Sequence, residues 1–120
     1  MSADDRAADL GARLPLAGDG VHWTLGDSTD LNANLVHLDP GHAVGEHVND
    51  AVDVLVVVLD GAGEVAVDDA VHAVHAHVVI HVARGARRTI RAGDAGLTYL
   101  TVHRRRGGLQ IGPQGGSSGM

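Results

Sequence analysis

The spacing of apolar residues changes once along this chain. Ser2 reads as a helix N-cap with Asp5 in the first turn, and Leu10 and Leu14 fall four apart, so residues 3–14 predict one short amphipathic helix. Gly18 and Gly20 end that stretch. From Val21 onward the chain breaks into short β-type runs divided by turn residues, at 21–25, 31–38, 52–59, 63–68, 71–75, 77–82, 87–92 and 97–103. About eight short strands with no helical period between them predict an all-β, antiparallel sandwich or barrel. The run VDVLVVVLDG is apolar at nearly every position. That pattern predicts a strand covered on both faces, one by the barrel and the other by a second copy of the chain in a homodimer. After Leu109 and Ile111 the sequence GPQGGSSGM has nothing to bury. The chain therefore divides into a lead-in over 1–20, a barrel over 21–111 and a flexible tail over 112–120.

Composition narrows the core and the partners. There is no Phe, and Trp23 and Tyr99 are the only large aromatics, so the core must be aliphatic and rich in Val, which suits a pleated surface. The net charge is −6, with Arg as the only cation apart from His. An acidic chain of this kind predicts no nucleic-acid partner. No apolar run approaches the ~20 residues that span a bilayer, and the acidic N-terminus lacks the pattern of a signal peptide. A cytoplasmic location is the expectation. Without Cys, disulfide and thiolate chemistry are excluded. Nine His in 120 residues is the outlier, because imidazole is the commonest metal ligand and proton shuttle near neutrality.

Two segments carry a resemblance. PGHAVGEHVNDAVDVLVVVLDG holds Gly41, His47, Asn49, Asp53 and Gly61, and HVVIHVARGARR holds His77, Ala83, Gly85 and Arg88. In order and spacing they are similar to the two motifs of the cupin family. There, a Gly precedes a His-x-His pair, an acid and a closing Gly, and a second motif runs from Gly through Pro-x-Gly to His. The resemblance implies a cupin-type jelly-roll barrel. It places His47 and Asn49 at the two histidine positions, Asp53 at the acid and Arg88 at the last histidine. Arg88 cannot ligate, since its guanidinium stays protonated, so the metal-binding part of the resemblance is altered.

Strand alternation adds a rearranged site. Residues two apart share a face, which pairs His47 with Asn49 and His75 with His77. If residues 83–86 close a four-residue hairpin, His81 lies directly opposite Arg88; the resemblance places position 88 facing the lumen, so His81 is expected to face it too. His81 then joins His47, Asp53 and His77 around a divalent cation such as Zn, Fe, Ni, Co or Cu. The competing reading is a metal-free lumen in which His81 fills a slot normally held by an aliphatic residue and hydrogen-bonds Asp53 or a backbone carbonyl. Arg88 then either pairs with Asp53 or presents its fork to a small-molecule anion. Tyr99, Thr101 and His103 share one face of the last strand and line the lumen mouth if Leu100 and Val102 pack the other way. Arg104, Arg105 and Arg106 read as a solvated strand end or as an anion contact at that mouth. His22, His37, His42 and His72 form no constellation at this level.

Overall fold

Among the described residues seven strands form, all paired antiparallel: β1 (Gly20–Thr24), β2 (Leu31–Leu38), β3 (Ala43–Val48), β4 (Val54–Val67), β5 (Ala70–His75), β6 (Val79–Val82) and β7 (Arg87–Arg104). The computed structural model describes residues 7–105, so the helix N-cap at Ser2, Leu109, Ile111, Arg106 and the tail 112–120 lie outside the described residues. In the described part of the expected helix, residues 7–14, the helical structure is a 3-10 turn at Gly11–Arg13 with no buried residue. Within the described stretch, Asp9 takes the Ala12 N–H through both its side chain and its carbonyl. A single turn with no apolar face has nothing to pack it into a longer helix.

Two long strands make the architecture. The expected runs 52–59 and 63–68 are one strand, β4, and 87–92 and 97–103 are one strand, β7. Their outer arms pair over Val54–Val58 and Tyr99–His103, where β2 and β6 complete one sheet and β1 adds to β2. Their other arms pair over Gly63–Val67 and Arg88–Ala92, where β3 and β5 complete the second sheet. The register slips between Val58 and Asp60 and again between Gly61 and Gly63, which marks the corner where both strands pass from sheet to sheet. Backbones approach so closely there that a Cβ on Gly61 would lie 2.1 Å from the Gly96 carbonyl oxygen, and one on Gly63 2.1 Å from that of Arg91.

β3 is the strand that alternation fails to announce. Its register shifts between Val44 and His47, so the inward positions are three apart rather than two. Between the sheets lies an aliphatic core that includes Val36, Leu38, Val54, Val56, Val58, Val65, Ile80, Val82, Ile90 and Leu97, with Tyr99. In the run VDVLVVVLDG, Val54, Val56 and Val58 are buried while Leu55 is 40% exposed. One face of this strand is thus open within a single chain. Among the described residues no helix is long and apolar enough to cross a membrane.

Candidate functional site

The lumen has an apolar part and a polar part, written by the inner face of β7. Leu97, Tyr99, Thr101 and His103 alternate inward and are buried. Leu97 and Tyr99 lie beside Leu38, Val36 and Val58, whereas Thr101 and His103 lie beside Asn34 and Asn32 on β2 and Val56 and Val54 on β4. The trio Tyr99, Thr101 and His103 therefore sits together on the lumen wall, with Leu100 and Val102 on the opposite face. On the other sheet Arg88, only 3% exposed, is directly opposed to His47 on one side and Val67 on the other. Directly opposed residues share a face, so Arg88 and His47 present one guanidinium and one imidazole to the same space.

Three buried atoms on this lining have no hydrogen-bond partner among the described residues: Thr101 Oγ1, His103 Nε2 and Asn49 Nδ2. Such atoms cost of order 1–3 kcal/mol each when left unmet. His103 Nδ1 is already engaged with the Arg104 carbonyl at 2.9 Å, which leaves Nε2 as the ring atom turned to the interior.

The expected metal ligands do not converge. His81 does not oppose Arg88. It pairs with Leu55 on β4, and it is Ile80 and Val82 that point inward. The turn closes as expected, with the Ala86 N–H on the Ala83 carbonyl at 3.0 Å, but its two strands enter different sheets. Gly85, at φ 86°, donates its N–H to the Asn49 carbonyl at 2.8 Å and ties the turn to the β3–β4 loop. His81 Nε2 instead donates to Asp53 Oδ2 at 2.9 Å on the outer surface, where both side chains are more than half exposed. Asp53 Oδ1 accepts the Arg84 N–H at 2.8 Å. The His81 hydrogen bond, then that of Arg84, holds the Asp53 carboxyl below the usual carboxylate range.

Asn49 is buried, but its Oδ1 caps a turn by accepting the Ala51 and Val52 N–H groups. His77 stands exposed in the β5–β6 turn at φ 80°, so strand alternation from His75 stops there. On this geometry the lumen donors do not fit a divalent cation. Of the expected set only His47 presents an imidazole on the inner face, and a cation, Arg88, is directly opposed to it. Among the described residues the one group of three His or carboxylate ligand atoms within 4.8 Å of one another lies elsewhere, at Asp19, Asp39 and His42. Sequence spacing concealed that group, because its members come from segments about 20 residues apart.

At the polar end, Ala51, Val52, Asp53, Arg84 and Arg104 line an open cleft of about 310 Å³. Arg104 stands exposed at the end of β7, on the rim of this cleft.

Burial controls the two inner ionisable groups next to each other. It lowers the Arg88 pKa from the ordinary arginine value, though a guanidinium still stays charged at neutrality. Burial pushes Tyr99 up to about 12, with the Arg88 charge acting the other way. Tyr99 is the only tyrosine, so an ultraviolet titration reads it alone. The folded protein is expected to ionise near 12 and the denatured chain near 10. Below pH ~10 both states keep the proton and the contribution is complete. Above it the unfolded state loses the proton first, so stability falls by roughly 2–3 kcal/mol by pH ~12. A folded-state midpoint near 10 would contradict the burial of this ring.

No family model matches the chain, and no curated protein matches it. Solved structures do. A conserved protein of unknown function from Streptococcus pyogenes superposes with a TM-score of 0.69 at 24% identity, over 84% of this chain and 88% of that one. An uncharacterized conserved protein with a double-stranded β-helix domain from Klebsiella pneumoniae gives 0.70 at 17% identity, over 82% and 89%. A cupin superfamily protein from Desulfitobacterium hafniense gives 0.67 at 20% identity, over 79% and 86%. With two sheets joined by bent strands around a half-polar lumen, the chain has the cupin fold, a double-stranded β-helix.

Proposed function

We propose that this barrel binds a small organic carboxylate in the polar part of its lumen, with Arg88 as the recognising group. The observation that carries this reading is the buried Arg88 beside His47, in a lumen where Thr101 Oγ1 and His103 Nε2 are buried and unmet among the described residues. A guanidinium meets a planar carboxylate with two parallel hydrogen bonds. The hydroxyl of Thr101 and the imidazole of His103 then serve the ligand's remaining oxygens, and Tyr99 stays a neutral phenol. Arg84 and Arg104 at the nearby cleft draw anions toward that end. Pockets that work this way combine an apolar wall with a few fixed polar groups.

Titration with a panel of small mono- and dicarboxylates and inorganic phosphate, followed by NMR, tests the reading. A carboxylate should shift the Thr101 and His103 signals. If no carboxylate moves them at millimolar concentration, or phosphate alone does, the proposal fails.

We propose further that a second copy covers the outer face of β4 and β6. Leu55 and Val79, 40% and 54% exposed, lie there with Val57, which pairs with Val79. Sedimentation should give a homodimer that Val79→Lys converts to monomer, and a monomeric wild type would remove this interface.

A further inference from the structure

Two buried polar atoms of the lumen have a fixed hydrogen-bonding sign, and the groups beside them set it. His103 Nδ1 lies 2.9 Å from the Arg104 carbonyl oxygen. A carbonyl can only accept, so Nδ1 carries the proton and, in the neutral ring, Nε2 is a bare acceptor. Asn49 is set the opposite way. The atom that meets the Ala51 and Val52 N–H groups, at 3.0 and 3.2 Å, must be the oxygen, which leaves Nδ2 as a donor. Both atoms are buried without a partner among the described residues, in residues 6% and 3% exposed. Thr101 Oγ1, in a residue 1% exposed, is unmet in the same way and can take either role.

The two signs belong to different sheets. His103 is opposed to Val54 and Arg88 to Val67, the two ends of β4, so both lie away from the corner at Gly61. Asn49 follows β3 in the sheet of Arg88, and that side offers donors. In the other sheet, Asn32 and Asn34 are directly opposed to His103 and Thr101 and share their face. Their bonds go to each other and to β1: Asn34 Nδ2 donates to Asn32 Oδ1 at 3.2 Å, and Asn34 Oδ1 accepts from Thr24 Oγ1 at 2.7 Å. No donor among the described residues reaches His103 Nε2. An ionised carboxylate has only acceptor oxygens, so it suits Arg88 and Asn49 and cannot satisfy His103.

Resting on the reading of Arg88 as the carboxylate-binding group, we propose that the ligand is a hydroxy acid, whose hydroxyl donates to His103 Nε2 and accepts from Thr101 Oγ1. Its carboxylate meets Arg88, with Asn49 Nδ2 as a second donor. Packed sheets lie about 10 Å apart, which leaves room for an acid of a few carbons between these side chains. An amine could also donate to Nε2, but at neutral pH it is an ammonium and would bring a second cation into the lumen of Arg88. A hydroxyl brings the donor without the charge.

Matched four-carbon acids that differ by one hydroxyl test this with the full, tag-free chain at about pH 8, where a free imidazole is neutral. Calorimetry compares butanoate with 2- and 3-hydroxybutanoate, and butanedioate with 2-hydroxybutanedioate. In at least one pair the hydroxy acid should bind roughly 10- to 100-fold more tightly, since its analogue leaves a buried acceptor unmet. His103→Phe removes that acceptor and should bring the pair to within about threefold, and Thr101→Val should cut the preference at least about threefold. Nitrogen-15 spectra should show His103 protonated at Nδ1 alone, with the Nε2 signal moving for the hydroxy acid and not for its analogue. If His103→Phe fails to fold, Thr101→Val and the nitrogen signal decide the matter. Equal affinity within every pair, a preference untouched by the variants, or a proton on Nε2 overturns the hydroxy acid while carboxylate binding stands. If none of the five acids binds at millimolar concentration, the reading of the lumen falls and takes this inference with it.

Discussion

Gly63→Ala is expected to lower the melting temperature of this protein by roughly 10–20 °C, which corresponds to about 3–5 kcal/mol for a domain of this size. The added methyl carbon would lie 2.1 Å from the Arg91 carbonyl oxygen and 3.2 Å from the Ala92 Cα. Both belong to the backbone of β7, which cannot rotate away as a side chain can. Separating the strands would break the ladder at the corner that both long strands share. Gly61→Ala should be at least as harmful, because a 2.1 Å approach to the Gly96 carbonyl is joined there by φ 81°, a conformation that L side chains rarely adopt. Gly26→Ala is the control: nothing lies within 4 Å of its Cβ position. Thermal unfolding of the three variants checks the prediction. A Gly63→Ala curve that overlays Gly26→Ala would mean that the two strands do not meet as described.

Arg88→Met should abolish carboxylate binding while leaving a folded barrel. Removing one partner of a buried, hydrogen-bonded charge pair typically costs about 2–5 kcal/mol, so the dissociation constant should rise by roughly 30- to 5,000-fold. Arg88→Lys retains the charge and loses the planar fork, and its affinity should fall between those of wild type and Arg88→Met. His81→Asn lies on the outer surface and should bind like wild type. Calorimetry with the best carboxylate of the panel measures all three, and near-ultraviolet dichroism of Trp23 and Tyr99 verifies the fold. Binding that survives Arg88→Met would end the reading of the lumen as an anion site. An equal loss in His81→Asn would move the site to the outer surface.

The position of His81 shows what a local pattern of residues leaves open about the site. The assumed hairpin put it opposite Arg88, but the strands on the two sides of the turn pair with β4 and with β3 rather than with each other, so no shared register holds His81 to the face of Arg88. The local pattern held a correction, since Ile80 and Val82 alternate with His81 in VVIHVA and the apolar pair claims the core. Tyr99, Thr101 and His103 were legible for the same reason in reverse, because no turn had to be assumed to alternate them with Leu100 and Val102. Asn49 and Asp53 hold the motif positions by spacing. Their oxygens are committed to the Ala51, Val52 and Arg84 N–H groups, and hydrogen bonds of that kind leave no periodic trace.

By itself the sequence determined the class of the fold: turn residues at short intervals, a Val-rich aliphatic core and motif-like spacing around Gly41, His47, Gly61 and Gly85 all describe one β barrel. It also determined that the position expected to carry a last histidine carries a permanent cation, Arg88. Tertiary structure alone decided that four of the expected runs are two bent strands, because glycine permits a backbone approach that local pattern cannot express. It alone decided that His81 and Asp53 meet outside the lumen, and that Asp19, Asp39 and His42 meet at all. Pairing across about 20 residues or more depends on which strands share a sheet, and that is set by burial of the whole core rather than by any window of the chain.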